Sequence, residues 1–458
     1  MTELRNARHL SVHDLRRRIN EGDVDTVVVA FTDVQGRLQG SRVQAAYFAE
    51  HVLEQGSEAP AYLLAVDVDM NVADRYDVSP ASQSDVDMKG DMKLVLDLQT
   101  IRLLHHQPGA AMVQCDVVGP EQDPVVQSPR TILKQQLAAA ASRGYTVLAG
   151  TELEFMAFHT SYEEAWNAHY RDLAAVSQHN VDYSIMGGSR IEPLLRTIRS
   201  TVYAAGIDVE SVTAKRHLGQ HEISLCHGDA LMTADNHAVF KTVAKEIAAQ
   251  QGQSITFMAA YDEQQANSCH IRLSLQGSDG STVFWNDRGR TQLYDSFVAG
   301  VLATLYDFTL LYAPYINSYK RIVGGSLAPT TIAWGRDHRT SAIRLVGRDP
   351  SAMVENRVPG GDVNPYIALA ATIAGGLYGI DHDLELGPGL TGNAHSSDFS
   401  SIPGTLREAR QAFHSSPLAR SAFGDEVVDY YTAMADVELA AFDAAVTDWE
   451  RRRSFERM

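Results

Sequence analysis

Cysteine is scarce. Cys115, Cys226 and Cys269 are the 3 cysteines in 458 residues, widely separated along the chain. An odd, dispersed set does not read as a disulfide framework; it fits reduced thiols and a cytoplasmic setting. Long hydrophobic runs are missing as well. No stretch reaches the ~18 consecutive apolar residues of a membrane span, and the polar opening Met1–Asn20 lacks the apolar segment of a secretory leader. Positive charge is in deficit: 39 Lys and Arg stand against 57 Asp and Glu, a formal net charge of −18. Nucleic-acid surfaces need clustered Lys and Arg, so no nucleic-acid partner is expected. The short runs Arg16-Arg17-Arg18 and Arg451-Arg452-Arg453 lie among acidic neighbours and read as solvated helix faces. There is no tandem repeat, and Ser396–Ser401 is too short to be low-complexity.

What is present is an ordinary globular composition, 45% hydrophobic and 8% aromatic, long enough for two or more domains. Val24–Phe31 (VDTVVVAF) has the β-branched content of a strand, and Asp33–Arg37 reads as the turn after it. Asp67–Met70, Lys93–Leu98 and Ala111–Val118 are further candidate strands, so residues 1–118 read as a small α+β module. Gly119-Pro120-Glu121-Gln122-Asp123-Pro124 marks a boundary. Beyond it, Ser128-Pro129 opens a helix to about Ser142, with Ser as N-cap and Pro at the first position. Thr146–Phe158, Ser254–Ala260 and Cys269–Leu275 are strand-like; Glu192–Ala205 and Leu231–Gln250 are helix-like. Thr405–Trp449 reads as largely helical, with Ala and charged residues at helical spacing.

Five acids or imidazoles stand in apolar surroundings. Glu152 and Glu154 sit at i and i+2 in Gly150-Thr151-Glu152-Leu153-Glu154-Phe155, and on a strand both point to one face. Two facing carboxylates repel and raise each other's pKa, a conflict that a bound cation resolves; a solvated strand face is the plainer reading. Glu222 precedes the strand-like Ile-Ser-Leu in Gly219-Gln220-His221-Glu222-Ile223. His270, Arg272 and Ser274 share a face in Cys269-His270-Ile271-Arg272-Leu273-Ser274, where a lone His is more often a core residue than a ligand. Glu355 and Arg357 are again i and i+2, which a plain salt bridge also explains. Arg321, Arg339, Arg344 and Arg357 complete the set. Arginine grips carboxylate and phosphate bidentately, and arginines facing a carboxylate-held metal are what phosphoryl transfer requires.

Taken in order, these segments resemble the glutamine synthetase family nearly end to end. The resemblance rests on Gly150–Phe155, Gly219–Glu222, Ser268-Cys269-His270, Asn317–Arg321, Trp334–Thr340, Glu355-Asn356-Arg357, Pro359–Asp362 and Asn364-Pro365-Tyr366. Gly325–Thr330 and Val446–Arg451 are similar to the γ-glutamyl-amine ligases that use polyamines, ethanolamine or other amines. The resemblance implies an α+β fold, with a small β-grasp domain at 1–118 and a glutamine-synthetase-type catalytic domain of antiparallel strands and helices at 119–458. It implies ATP-dependent joining of glutamate or a related acid to an organic amine through an acyl phosphate. Glu152, His270 and Glu355 would hold one Mg²⁺ or Mn²⁺, with Glu154 and Glu222 as ligands of a second. Arg339 and Arg344 would hold phosphoryl oxygens, Arg321 and Arg357 the acid, while Glu210, Ser274 and Arg344 would lie along the nucleotide.

Several positions depart from the family pattern. Lys215 stands where the second metal takes a third glutamate, leaving one metal site complete and the other a ligand short. Arg272 replaces a histidine, His338 an asparagine, and Ala266 a glycine. Leu327 replaces the flap glutamate of ammonia-using members, and no aspartate near Ala59-Pro60-Ala61-Tyr62 matches their ammonium site. Glutamine synthesis from ammonia is therefore not expected. Two further readings stay open: an impaired ring protein with a binding or regulatory role, and a repurposed single-metal amide hydrolase. Because the family completes each active site from a neighbouring subunit, the chain is expected to form a closed ring, a dodecamer of two stacked hexamers. Light scattering at micromolar concentration should then report about ten or more subunits; a monomer or dimer would contradict it.

Overall fold

The computed structural model describes residues 9–73, 90–323, 328–392 and 398–458. Two sheets organise them. The first is built from β1 (Thr26–Thr32), β2 (Leu38–Gln44), β3 (Ser57–Pro60), β4 (Asp91–Leu103) and β5 (Ala110–Val118), in the order β2-β1-β5-β4-β3. β1 runs antiparallel to β2 and parallel to β5. This is the arrangement of a β-grasp, with the helix Val12–Glu21 beside the sheet. That helix starts where Ser11 Oγ accepts the Asp14 N–H and stops at Gly22, whose φ of 80° ends it in the left-handed region. β1 buries Val27, Val29 and Phe31 in alternation against Leu15, Phe48 and Leu94.

The second sheet holds β6 (Thr146–Phe158), β7 (Val209–Ala214), β8 (Gln220–Leu225), β9 (Gly228–Asp229), β10 (Ser254–Thr256) and β11 (Cys269–Gln276). A hairpin apart from it, β12 (Trp285–Asn286) and β13 (Gly289–Arg290), precedes the sheet's last strands, β14 (Trp334–Arg336), β15 (Ile343–Val346) and β16 (Met353–Asn356). The main path is β14-β15-β16-β11-β6-β8-β7, with β9 and β10 also on β6. All these pairings are antiparallel except β14 with β15.

Helices cover one face of this sheet. Ala230–Gln250 packs on β6 and β10. Gln292–Tyr312 and Pro365–Asp381 are apolar on nearly every side and lie in the core. They cross with backbones touching: a Cβ on Gly300 would come within 2.2 Å of Gly375 O, and one on Gly379 within 2.0 Å of Ser296 O. The C-terminal segment is helical over Leu406–Ser415, Pro417–Phe423, Asp425–Ala444 and Asp448–Ser454. Among the described residues no helix is long and apolar enough to cross a membrane.

Two strand expectations need correction. Asp67–Met70 is a turn, closed by Asp67 N–H to Asn71 O at 2.9 Å. Arg37 holds it there by donating to Val68 O and Asp67 O, which uses carbonyls a strand would need. Ser254–Ala260 is extended only through Thr256; Asn267 then captures Met258 O at 2.9 Å and ends the pairing. Ser128 does cap the helix Pro129–Ser142, but without a side-chain hydrogen bond. The segment Gly119–Pro124 is a turn, Gly119 N–H to Asp123 O at 2.8 Å. Core side chains interleave around it: Val125 packs in the first core, while Leu104, Ala110 and Met112 pack in the second.

A buried ion network joins the two sheets. Arg130, 2% exposed, donates Nε and Nη2 to Asp235 at 3.0 Å each, Nη2 to Asp97 at 2.6 Å and Nη1 to Asp116 at 2.5 Å. The Tyr366 hydroxyl donates to Asp235 Oδ1 at 2.6 Å. Arg130→Ala would strand Asp235 without a cation. Breaking such a buried pair costs about 3–5 kcal/mol, so urea unfolding of the variant should show a loss of that order, and an unchanged midpoint would refute the role.

Candidate active site

β6 sits between β11 and β8, and its two-residue period aims Glu152 and Glu154 at one face. Register places Glu152 opposite His270 and Ser224, and Glu154 opposite Glu222. Leu153 and Phe155 point to the other face, into the core. His221, between Gln220 and Glu222, also points away. It packs beside Phe155, with Nδ1 3.1 Å from Gly219 O. Gly219 makes this tight entry to β8 possible: its φ is +69°, and a Cβ would lie 2.4 Å from Ala157 O.

One cluster is Glu152, His270 and Glu355, whose ligand atoms all lie within 4.8 Å of one another. His270 Nδ1 is 3.1 Å from Glu152 Oε2 and 4.0 Å from Glu355 Oε1. Burial, reinforced by Arg357, drives the His270 pKa well below its ordinary value, so the ring is neutral, the form that binds metal. Two carboxylates and a neutral imidazole suit Mg²⁺ or Mn²⁺. Glu355 is 1% exposed. Arg344 donates to its Oε2 at 2.9 Å, and Arg357 to its Oε1. Arg344 also lies 3.9 Å from Asp337.

The second cluster is Glu154, Glu222 and Lys215. Lys215 Nζ is 3.0 Å from Glu222 Oε2 and 3.5 Å from Glu154 Oε1. Burial pushes the Glu222 carboxyl up to about 7, against the pull of Lys215. Burial alone would lower the Lys215 pKa, but the two carboxylates outweigh it and raise it. This trio does not fit a second divalent ion, because an ammonium occupies the space between the acids.

The remaining candidates are placed as follows. Arg321 is buried and donates to Val358 O at 2.7 Å, Arg357 O at 3.1 Å and Ser268 Oγ at 3.0 Å; burial draws its pKa down to about 10. Arg339 is exposed and makes no ion pair among the described residues. Glu210 is exposed and accepts from Arg272 Nη2 at 2.7 Å, while Arg272 Nε lies 3.4 Å from Glu152. Ser274 Oγ is 3.3 Å from His227 Nε2. His338 Nδ1 accepts from Thr340 N–H at 3.4 Å. Leu327 lies outside the described residues. Two supports were not among the residues singled out in the sequence. Gln220 Nε2 holds Glu154 Oε2 at 3.2 Å and Ala266 O at 2.7 Å, and the Ser268 N–H donates to Glu154 Oε2 at 2.6 Å. Gln220 lies two residues before Glu222 on β8, and that spacing alone points to it.

Comparison with known proteins fits this geometry. Residues 126–454 match the family model described as glutamine synthetase, catalytic domain. A γ-glutamylethanolamide synthetase of Streptomyces coelicolor is 52% identical over 98% of this chain and 96% of its own. A glutamate–isopropylamine ligase of a Pseudomonas species is 32% identical over 99% of both chains. The solved structure of ligand-free GmaS superposes with a TM-score of 0.83 at 25% identity, covering 97% of this chain and 100% of that one.

If Glu152, His270 and Glu355 hold a divalent ion, Glu355→Gln should weaken Mn²⁺ binding by at least about tenfold, the scale on which even outer partners of a metal act. Titration of the free protein followed by electron paramagnetic resonance would measure this; unchanged affinity would rule these ligands out.

Proposed function

The chain belongs to the glutamine synthetase family, and on that footing we propose that it is an ATP-dependent ligase joining glutamate to a small organic amine, with ethanolamine the first candidate. The observation that carries this reading is Glu355. It stands beside His270 and Glu152 and accepts hydrogen bonds from Arg344 and Arg357, so positive charge converges where a phosphoryl group must be stabilised. The 52% identical relative that makes γ-glutamylethanolamide supports the choice of amine.

In the proposed reaction a glutamate carboxylate oxygen attacks the terminal phosphorus of ATP and ADP departs. The amine nitrogen then attacks the acyl carbon, and the C–O bond to phosphate breaks as the departing phosphate takes the proton that nitrogen loses. A divalent ion at Glu152, His270 and Glu355 would supply charge beside the phosphates. The chain's own groups do the rest. Arg344, fixed by Glu355, is preorganised to meet phosphoryl oxygens without reorganising as charge develops. Arg339, exposed and without an ion-pair partner among the described residues, is free to close on them. Arg357 faces the acid, and Arg321 braces Arg357 through its carbonyl. Glu210 and Ser274 flank the nucleotide. By resemblance, Leu327 stands where ammonia-using members carry the carboxylate that deprotonates ammonium, so a carbon-bearing amine is the expected acceptor over ammonia. The reaction is assigned to the cytoplasm, and the protein to a ring of identical subunits.

ADP release should be followed with ATP, glutamate and each of ethanolamine, isopropylamine, methylamine and ammonia. Turnover with organic amines and little glutamine from ammonia is expected. Arg344→Ala should lower kcat by about 10²–10³-fold, the usual loss for one preorganised charge donor. Glutamine formation from ammonia at a rate matching the amines would overturn the assignment. Retained nucleotide binding with no ADP release from any amine would favour the regulatory reading.

A further inference from the structure

Lys215 follows β7 at the turn into β8, where its backbone N–H donates to Gln220 O at 2.9 Å and fixes the root of the side chain. The side chain then reaches inward, 15% exposed, to two carboxylates that are 9% and 10% exposed. Its Nζ is 3.0 Å from Glu222 Oε2 and 3.5 Å from Glu154 Oε1, and lies 5.9 Å from the centre of the Tyr183 ring, which adds a cation–π contact. The far oxygen of Glu154 is already committed to the Ser268 N–H and to Gln220 Nε2. Its near oxygen therefore faces the ammonium, as does that of Glu222.

Two nearly buried carboxylates facing one another need a cation between them. A divalent ion there would want about six oxygen ligands. This chain offers two carboxylates and a positive charge that repels a second cation. The neighbouring cluster differs: Glu152, His270 and Glu355 put three ligand atoms within 4.8 Å of one another, the third an imidazole nitrogen rather than an ammonium, with Arg272, Arg344 and Arg357 paired to its acids. We propose that the Lys215 ammonium permanently occupies the place between Glu154 and Glu222, so that each chain carries one exchangeable divalent-ion site and one covalently tethered cation. The proposal rests on reading this face as the catalytic one. A tethered ammonium has one unit of charge and three N–H donors on a flexible stem. It holds the two acids in place, cannot be removed by a chelator, and cannot take an oxygen of the substrate into a coordination shell as a metal does.

The test counts ions in the free protein, so it needs no turnover. Chelator-treated protein is dialysed against Mn²⁺, and bound ions per chain are counted by plasma mass spectrometry for the unmutated protein, Lys215→Glu and Lys215→Gln. Lys215→Glu is expected to bind one more Mn²⁺ per chain than the unmutated protein. Equal counts in the two overturn the proposal. Because three clustered carboxylates could hinder folding, Lys215→Gln serves as the second variant: it removes the charge and leaves an oxygen ligand. It is expected to gain an additional, weaker Mn²⁺ and to be raised in melting temperature by Mn²⁺ more than the unmutated protein is; no gain in either overturns the proposal. The two readings fail separately. A gain of one ion in Lys215→Glu from an unmutated protein that binds none supports the tethered cation and removes the metal site at Glu152. Absent ADP release with the same gain defeats only the ligase assignment.

Discussion

The two-residue period of β6 is the constraint on which the active face depends. Side chains alternate across a strand, so Glu152 and Glu154 must share a face while Leu153 and Phe155 take the other. A slip of one residue against β11 would drive both carboxylates into the core and bring Leu153 opposite His270. The apolar side of the strand is packed against helices with Leu153 and Phe155 wholly buried, so the hydrophobic effect, acting on the far face, fixes where the acids stand. The placement of these acids is here a by-product of core packing. The register with β8 then adds Glu222 opposite Glu154.

Bringing four carboxylates to one face creates the second requirement, charge balance. Glu152, Glu154, Glu222 and Glu355 are met by Arg272, Lys215, Arg344 and Arg357. Each base is held by an acid before any ligand arrives, so these side chains are ordered in advance and lose little freedom when substrate binds. The same balance limits the site. Arg272 is shared between Glu152 and Glu210, so a ligand that draws on one acid must loosen the grip on the other.

Much of this was legible in the sequence because its signals are local. β6, the helices Pro129–Ser142 and Ala230–Gln250, and the alternation at His270 all follow from periodicity within a dozen residues. The failures occur where distant partners decide. Asp67–Met70 has strand-like alternation, but Arg37, some thirty residues earlier, claims its carbonyls. Ser254–Ala260 is cut short by Asn267. At the site, residue types could be read off the chain and the resemblance set Lys215 beside Glu154 and Glu222, yet the reach of its ammonium to both acids depends on the turn from the edge strand β7 into β8, which no spacing rule reports. Arg321 was read with Arg357 as a grip for the acid, but nothing local reveals that its N–H groups are taken by Val358 O, Arg357 O and Ser268 Oγ.

The Arg130 network also determines how this chain can be divided. Arg130 and Asp235 belong to the helices behind β6, whereas Asp97 and Asp116 belong to β4 and β5 of the first sheet. A catalytic half produced alone, from the turn at Gly119 onward, would keep its arginine and one aspartate but expose the surface that β4 and β5 cover. The first sheet produced alone would present Asp97 and Asp116 on neighbouring strands without the guanidinium that bridges them, next to a core that lacks Val125. Neither fragment is a natural unit for expression, and fusions or split reporters inserted at that turn should reassemble only if both halves are made together. The chain's modular appearance in sequence thus conceals a mutual dependence: each half carries part of the other's interior.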